Sequence, residues 1–146
     1  MTQPVESPDE LLCFALYSAD HAMGRLYRGL LAPMGLTYPQ FLVLLALGGD
    51  APLSLRDLGQ AVALESNTLT PLLKRMQQAG LLTRSRNPED ERALQVALTD
   101  QGRALRARVQ QMQSQILRDS GIDPARLRRL RDDIRDLRAQ LERAAG

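Results

Sequence analysis

The hydrophobic period of the chain changes at Gly80, and this change restricts the possible folds more than any other feature of the sequence. Before Gly80, apolar residues recur every three or four positions along one face of a predicted helix: Leu69, Leu72, Leu73 and Met76. After Gly80, residues 82–86 and 94–98 alternate apolar and polar side chains, as half-buried strands do. The polar segment 87–92 is too short for a crossover connection, so the two strands are predicted to form an antiparallel hairpin.

The rest of the chain predicts helices. Aromatic residues make up only 3% of the chain, so the core has to be built from Leu, Ala, Val and Met, which favours helices. Capping residues and breakers set the predicted bounds: 8–31 after a capping box of Ser7 and Glu10, 39–47, 55–62 after Ser54, 65–80, 100–117 after Thr99, and a last helix to 143. Whether the helix over 65–80 begins before Pro71 or only near it stays open, because proline lacks the N–H donor. The predicted fold class is mainly α with a two-stranded hairpin.

The last predicted helix carries an apolar stripe with alternating spacings of three and four: Leu127, Leu130, Ile134, Leu137 and Leu141. This heptad-like seam is typical of a helix that packs against another helix, so it needs a partner surface. Arginines on the same helix are interleaved with Asp132, Asp133 and Asp136, which indicates a solvated, salt-bridged face.

Composition excludes several classes of protein. The 146 residues fit one domain, and a single Cys and a single His exclude an intramolecular disulfide, a Cys-cluster metal site and most catalytic triads. We therefore expect no enzyme activity, no cofactor and no metal site. The first residues lack the features of a secretory signal, and no apolar run of about 18 to 20 residues predicts a membrane helix, so we expect a cytoplasmic protein. The net charge of +2 permits an anionic partner without requiring one.

Two short helices followed by a basic hairpin are typical of a winged helix-turn-helix that binds double-stranded DNA. The face of helix 65–80 opposite its apolar stripe offers small polar and basic groups for base edges and phosphates, and the hairpin adds arginines. The candidate DNA-binding residues are Ser66, Asn67, Thr68, Thr70, Pro71, Lys74, Arg75, Arg84, Arg86 and Arg92. The alternative is that these side chains are only the solvated surface of a helix and a hairpin.

The segments 69–76 and 80–82, Arg84, the run Asp90-Glu91-Arg92 and the motif Leu98-Thr99-Asp100-x-Gly102 resemble the DNA-binding core of the MarR family of regulators. The resemblance implies that Arg92 is the wing-tip arginine that enters the minor groove and that Asp90 orients it. It also implies a single MarR-type domain over 1–146. In that domain a winged helix-turn-helix at 38–98 lies between dimerisation helices at 8–36 and 100–146. The homodimer would bind a pseudo-palindromic operator.

A second resemblance lies near the N-terminus. The segment 12–18 with Cys13 and Tyr17, then Tyr27, and Tyr38 within Thr37-Tyr38-Pro39-Gln40 are similar to the organic hydroperoxide resistance regulators, the OhrR branch of the MarR family. The resemblance implies that Cys13 is the peroxide-reactive thiol and that Tyr17 lies beside it. It further implies that Tyr27 and Tyr38 of the partner subunit donate hydrogen bonds to its sulfur.

The residues themselves support this chemistry. Cys13 is expected one to two turns inside the first helix with Tyr17 at i+4, so thiol and phenol share a face. The positive end of the helix dipole and phenolic donors favour the thiolate, which attacks peroxides, and apolar neighbours suit an organic hydroperoxide as inducer. Because the chain has one Cys, its sulfenic acid has no second cysteine to resolve it. We expect a small cellular thiol to form a mixed disulfide, or overoxidation, followed by release of the operator.

Other functions remain open at this point. Cys13 could be incidental, and a reversibly bound phenolic or aromatic ligand could release a MarR-type repressor instead. A thiol peroxidase or a purely structural helical adaptor are further alternatives, and His21 is read as a surface or tertiary-contact residue. The role of Glu65 is doubtful, because a carboxylate near phosphate is unfavourable unless it contacts a base amino group.

Overall fold

The computed structural model describes residues 4–146, apart from the side chains of Glu91 and Arg92. Its helices and strands confirm the mainly α class. In chain order they are a 3-10 turn Pro8–Glu10, α1 Leu12–Leu31, a 3-10 turn Ala32–Met34, α2 Tyr38–Ala46, β1 Leu53–Ser54, α3 Leu55–Val62, α4 Ser66–Gln78, β2 Leu82–Asn87, β3 Asp90–Leu98, α5 Asp100–Asp119 and α6 Pro124–Ala145. The chain divides into two compact units, and the boundary between them along the chain lies between Val109 and Gln110.

Among the described residues, no single helix is long and apolar enough to cross a membrane. The bent pair Leu12–Met34 and Tyr38–Ala46, with an angle of 76° between its helices, meets that test only by length and composition.

The start of the first helix differs from the prediction. The Ser7 hydroxyl accepts a 3.4 Å hydrogen bond from the backbone N–H of Asp9 and not from that of Glu10, so it caps only a 3-10 turn. Leu11 is extended, and α1 begins after it at Leu12. The continuous helix from residue 8 was therefore wrong, because this short turn satisfies the cap and the extended residue ends it. Cys13 is the second residue of α1, in its first turn, and does not lie one to two turns inside.

The next two helices begin at side-chain caps. Thr37 and Gln40 form a capping box at α2: the Gln40 N–H donates to the Thr37 hydroxyl at 3.4 Å, and the Thr37 N–H donates to the Gln40 amide oxygen at 3.0 Å. This box starts α2 at Tyr38, one residue before the predicted start. Ser54 caps α3 by accepting the N–H of Asp57 at 3.0 Å, and the bounds of α3 agree with the prediction.

Helix α4 resolves the question that Pro71 left open. The regular helix begins at Ser66 with Pro71 inside it, so the carbonyl of Asn67 lacks the N–H donor that residue 71 would supply. The predicted apolar face is confirmed, since the four side chains on it are buried in the core: Leu69, Leu72, Leu73 and Met76. This burial leaves the opposite face of α4 to solvent.

Within the described part of the chain, the sheet has three antiparallel strands in the order β1-β3-β2, one more strand than the predicted hairpin. Strand β1 pairs Leu53 with Val96 of β3, and two residues are too few to show an alternating pattern in the sequence. The turn is also shorter than the predicted polar segment 87–92, because β2 extends to Asn87 and β3 begins at Asp90. Asn87 and Asp90 pair beyond an irregularity after Arg86, and the Asn87 side chain accepts the N–H of Glu89 at 2.9 Å.

Thr99 joins the end of α4 to the start of α5. Its hydroxyl donates to the carbonyl of Gly80 at 2.6 Å and accepts the N–H of Gly102 at 3.0 Å, while its own N–H donates to the carbonyl of Leu81 at 3.1 Å. Gly102 is buried, and a Cβ built on it would overlap the Leu81 carbonyl oxygen. The Thr-x-x-Gly spacing therefore exists because α5 approaches the backbone at Leu81 closely.

The second unit, residues 110–146, contains the end of α5 and all of α6. Asp123 caps α6 by accepting the N–H of Ala125 at 3.2 Å. The salt-bridged face is confirmed by ion pairs of Arg131 and Arg135 with Asp132 at 3.0 and 3.6 Å, and by an ion pair of Arg138 with Glu142 at 3.7 Å. Three residues of the heptad-like seam are exposed in the single chain, by 46% at Leu130, 46% at Ile134 and 56% at Leu141.

Candidate nucleic-acid interface and thiol site

The polar face of α4 carries most of the candidate DNA-binding residues that the sequence singles out. The structure leaves six of them exposed and Thr70 half-buried; the exposed ones are Ser66, Asn67, Thr68, Pro71, Lys74 and Arg75. They share one surface because the apolar residues of α4 fix its opposite face in the core. A helix held in this way presents its outer side chains as one rigid surface.

The hairpin formed by β2 and β3 carries the remaining candidates. Arg86 and Asp90 are exposed, and Arg84 is half-buried. Arg92 lies in β3, but its side chain is outside the described residues, and so is any contact of Arg92 with Asp90. The implied orientation of Arg92 by Asp90 therefore stays a prediction.

Sequence reasoning missed Gln77 as part of this surface. The Nε–H of Arg84 donates a 2.7 Å hydrogen bond to the amide oxygen of Gln77, near the end of α4. With Lys74 and Gln78, these two residues line a cleft of about 480 Å³ between helix and strand. No period or motif relates residue 77 to residue 84, so the only available signal was that both residues flank the predicted turn at Gly80.

Glu65 is the residue immediately before α4, and its side chain makes no capping hydrogen bond to that helix. It is exposed and lines a cavity of about 650 Å³ with residues of α3 and β3, including Arg56 and Leu94. The structure gives it no ion pair among the described residues.

The predicted thiol site begins in the first turn of α1. Cys13 is exposed, and Tyr17 one turn later is 61% exposed. The rings of His21 and Tyr17 lie with their centroids 4.2 Å apart at an interplanar angle of 55°, and Nδ1 of His21 lies 2.8 Å from the Tyr17 carbonyl oxygen. His21 is therefore an exposed surface residue that contacts its own helix one turn earlier, which agrees with the first of its two interpretations from sequence.

Tyr27 and Tyr38 come together at a separate place. Their rings meet edge to face with centroids 5.3 Å apart, and Phe41 lies against both at 5.5 and 5.9 Å. Both tyrosines line a cavity of about 300 Å³ that also includes Asp20 and Arg28. Among the described residues of this one chain, neither tyrosine hydroxyl makes a hydrogen bond to Cys13, so the implied contact requires a second subunit.

The environment of Tyr38 raises the pKa of its phenol above the ordinary value of 10.0. Partial burial of the phenol is the largest cause, and the nearby Tyr27 and Asp20 add electrostatic repulsion of the phenolate. The hydroxyl of Tyr38 therefore stays protonated, and able to donate a hydrogen bond, to higher pH than an ordinary tyrosine.

This raised pKa predicts a loss of stability in alkali. Below pH 10 the neutral phenol is present in both folded and unfolded chains, whereas above it the unfolded chain loses its proton first. The free energy of unfolding should fall as pH rises through and beyond 10, and Tyr38→Phe should reduce that fall. Urea unfolding at pH 8 to 11, with ultraviolet titration of tyrosinate, tests this. An equally steep fall in Tyr38→Phe would contradict the assignment.

No group of His, Cys, Asp and Glu side chains within the described residues could hold a metal ion.

Comparison with known proteins identifies the family of the chain. Residues 36–94, which include α2 to α4 and most of the hairpin, match the family described as MarR family. The chain is 43% identical over 141 residues to the HTH-type transcriptional regulator TtmR of Methylorubrum extorquens. The matched region covers 97% of this chain and 72% of TtmR. The chain belongs to the MarR family. This MarR-family chain is thus related to transcriptional regulators over nearly its whole length.

Two further relatives bear on the two candidate sites. This MarR-family chain is 41% identical over 120 residues to the organic hydroperoxide resistance transcriptional regulator of Bacillus subtilis, covering 80% of the chain and 82% of the relative. Reduced AbfR of Staphylococcus epidermidis, solved bound to DNA, superposes with a TM-score of 0.77 and 33% identity over 92% of this chain and 91% of AbfR. The predicted winged helix-turn-helix fold and the resemblance to the OhrR branch are therefore confirmed.

Proposed function

We propose that this MarR-family chain is a cytoplasmic, homodimeric repressor. Its α4 helix and hairpin bind a pseudo-palindromic operator, and oxidation of Cys13 by an organic hydroperoxide releases it. The observation that carries the proposal is the exposed Cys13 in the first turn of α1. It occurs in a chain whose relatives include a hydroperoxide resistance regulator and a regulator solved in its reduced form on DNA.

DNA binding is supported by the geometry of α4. Its exposed residues are short polar side chains near the N-terminal end, followed by Lys74 and Arg75, and a recognition helix reads base edges with its N-terminal residues. Arginines of the hairpin supply positive charge beside the helix, which suits phosphate contacts on either side of a groove. The side-chain amide of Asn67 can form hydrogen bonds with an adenine edge. The backbone carbonyl of Asn67 lacks its helical N–H donor because residue 71 is proline.

Dimerisation is supported by the exposed seam of α6. Leu130, Ile134 and Leu141 lie on one helical stripe and are about half exposed in the single chain. An apolar stripe at this spacing is stabilised when a second helix covers it. A twofold dimer would also present two copies of α4 to a pseudo-palindromic site.

The thiol chemistry begins with Cys13 as nucleophile. Its thiolate attacks one peroxide oxygen, the O–O bond breaks, the organic part leaves as an alkoxide that takes a proton to become an alcohol, and sulfur is oxidised to sulfenic acid. A small cellular thiol then displaces that oxygen as water and leaves a mixed disulfide on Cys13. The N–H groups in the first turn of α1 receive no side-chain cap. They and the helix dipole therefore favour the anionic thiolate of Cys13 at this end of the helix.

Tyr27 and Tyr38 complete the proposed site from the partner subunit. Their edge-to-face contact and the contact with Phe41 hold both rings in place, and Tyr38 keeps its proton to high pH. Two phenols fixed in this way can donate to a sulfur atom of the other chain. Oxidation would remove these hydrogen bonds and add bulk, which shifts the positions of the two α4 helices.

Intact mass and DNA binding, measured on the same samples, test the proposal. The DNA is a duplex selected by the wild-type protein from a randomised library, and the oxidant is cumene hydroperoxide, with and without a small thiol. We expect one oxygen atom or one small thiol to be added to Cys13, together with loss of DNA binding, and a reducing agent should restore binding after mixed-disulfide formation. The matched control, Cys13→Ser, should bind the duplex and stay bound.

The outcomes separate the alternatives. Release of Cys13→Ser by a phenolic ligand, insensitive to reducing agent, would favour a ligand-released repressor, for which the cavity at Tyr27 and Tyr38 offers about 300 Å³. Consumption of many equivalents of peroxide per chain would favour a peroxidase. The absence of any salt-dependent DNA binding would leave the structural adaptor.

A further inference from the structure

The contact between Gln77 and Arg84 joins the two elements of the proposed DNA-binding surface. Gln77 lies in the last turn of α4, and Arg84 is the third residue of β2. The 2.7 Å bond between the Arg84 Nε–H and the Gln77 amide oxygen spans the turn at Gly80. A side-chain hydrogen bond between a recognition helix and a wing strand sets how their polar side chains face one another.

This bond restricts the direction of the Arg84 guanidinium. The group is planar and its N–H donors point in fixed directions, so holding Nε determines where the two terminal nitrogens point. Arg84 is half-buried, and among the described residues no other hydrogen bond or ion pair engages it. The terminal N–H donors are therefore available to a ligand. The partial negative charge at the end of α4 favours the cation at this place.

The cleft beside Arg84 has the character of an anion site. Its volume is about 480 Å³, and its lining consists of Lys74, Gln77, Gln78 and Arg84, two cations and two amides with no carboxylate. Lys74 is exposed one helical turn before Gln77 and Gln78, so its ammonium can reach the same anion as the guanidinium. A guanidinium recognises phosphate oxygens in pairs, and an ammonium adds a point charge.

We propose that Gln77 is a positioning residue that orients Arg84. With Lys74, Arg84 then holds one phosphate of the DNA backbone in this cleft of each protomer. The inference rests on the proposed DNA-binding function. Gln77 acts by orienting Arg84 and does not itself contact the DNA. The Gln77–Arg84 bond thereby fixes the register of the hairpin against the duplex.

A double-mutant cycle tests the positioning role. Gln77→Met removes the acceptor but keeps the length and helix preference of the side chain, and Arg84→Met removes the guanidinium. On the selected duplex, Arg84→Met should weaken binding about tenfold and reduce the magnitude of the slope of log affinity against log salt by about two, one for each protomer. Gln77→Met should weaken binding about three- to fivefold in the wild-type background and leave it unchanged in the Arg84→Met background. Unchanged thermal unfolding would show that both variants fold.

Replacing single phosphates with neutral methylphosphonates locates the contact. One position in each half-site should weaken wild-type binding about tenfold and Gln77→Met binding less, and it should weaken Arg84→Met binding least, because only Lys74 then contacts that phosphate. An equal loss from Gln77→Met in both backgrounds would overturn the proposal, since Gln77 would then contact DNA independently. A wild-type affinity for Gln77→Met would overturn it as well. Failure of the wild-type protein to bind any duplex would instead contradict the proposed DNA-binding function.

Discussion

The Gly102→Ala variant is expected to lose about 3 kcal/mol or more of its free energy of unfolding, the largest effect that a single methyl group should have in this chain. The added Cβ would overlap the carbonyl oxygen of Leu81 and lie 3.2 Å from Cδ2 of Leu98. The side chain of Leu98 could rotate, but the Leu81 carbonyl could not move cheaply, because it accepts the N–H of Thr99. Relief of the overlap requires α5 to withdraw and the Thr99 hydrogen bonds to lengthen.

Gly29→Ala is the matched control for this variant. Gly29 lies inside α1, and a Cβ there would meet nothing within 4 Å in the chain. Alanine at an unobstructed helical position should raise stability by about 0.5–1 kcal/mol. Urea unfolding followed by circular dichroism measures both variants. A Gly102→Ala protein as stable as the wild type would show that the close approach at Leu81 is not required.

The second large effect is expected from Ile134→Asp in the middle of the α6 seam. In a dimer each subunit would bury one carboxylate in an apolar helix interface, at about 2 kcal/mol or more per copy. Two copies together predict an increase of about a thousandfold in the dimer dissociation constant. The affinity for DNA should also fall as the dimer dissociates, because a monomer engages only one half-site of the proposed operator.

Arg129→Asp provides the control for charge. It lies on the same helix but outside the seam, it is exposed, and among the described residues it makes no ion pair. This variant changes the net charge more than Ile134→Asp does, so a general charge effect would appear there first. Sedimentation at several concentrations, with circular dichroism to verify helix content, distinguishes the cases. A fully dimeric Ile134→Asp protein would place the dimer interface elsewhere.

Periodic patterns predicted the helices well, and short local features explain the differences. The stripe of Leu69, Leu73 and their neighbours needed only its own spacing to place one face of α4 in the core. The break at Leu11 depends on which N–H the Ser7 hydroxyl accepts, and two neighbouring donors cannot be told apart in a sequence. Strand β1 is two residues long, and it is a strand only because β3 lies beside it.

The candidate site was predictable to the same extent. Side chains on the outer face of α4 follow from the helical period, so the structure leaves them exposed as that pattern indicates. The Gln77–Arg84 bond and the contact of Tyr27 with Tyr38 join separate elements, and their distances depend on turn geometry that no spacing encodes. Cys13 lies in the first turn of α1, and not one to two turns inside, because the helix begins only after the break at Leu11.

The extra strand β1 predicts a gradient of amide hydrogen exchange along the hairpin. Near Val96 and Gln95, strand β3 is paired on both sides, so exchange there requires two ladders to open together. Towards Asn87 and Asp90 its one neighbour among the described residues is β2, and the exposed tip can open without disturbing the base. If the hairpin binds DNA as proposed, its tip can therefore adjust to minor grooves of different widths at small energetic cost, while the base stays paired on both sides.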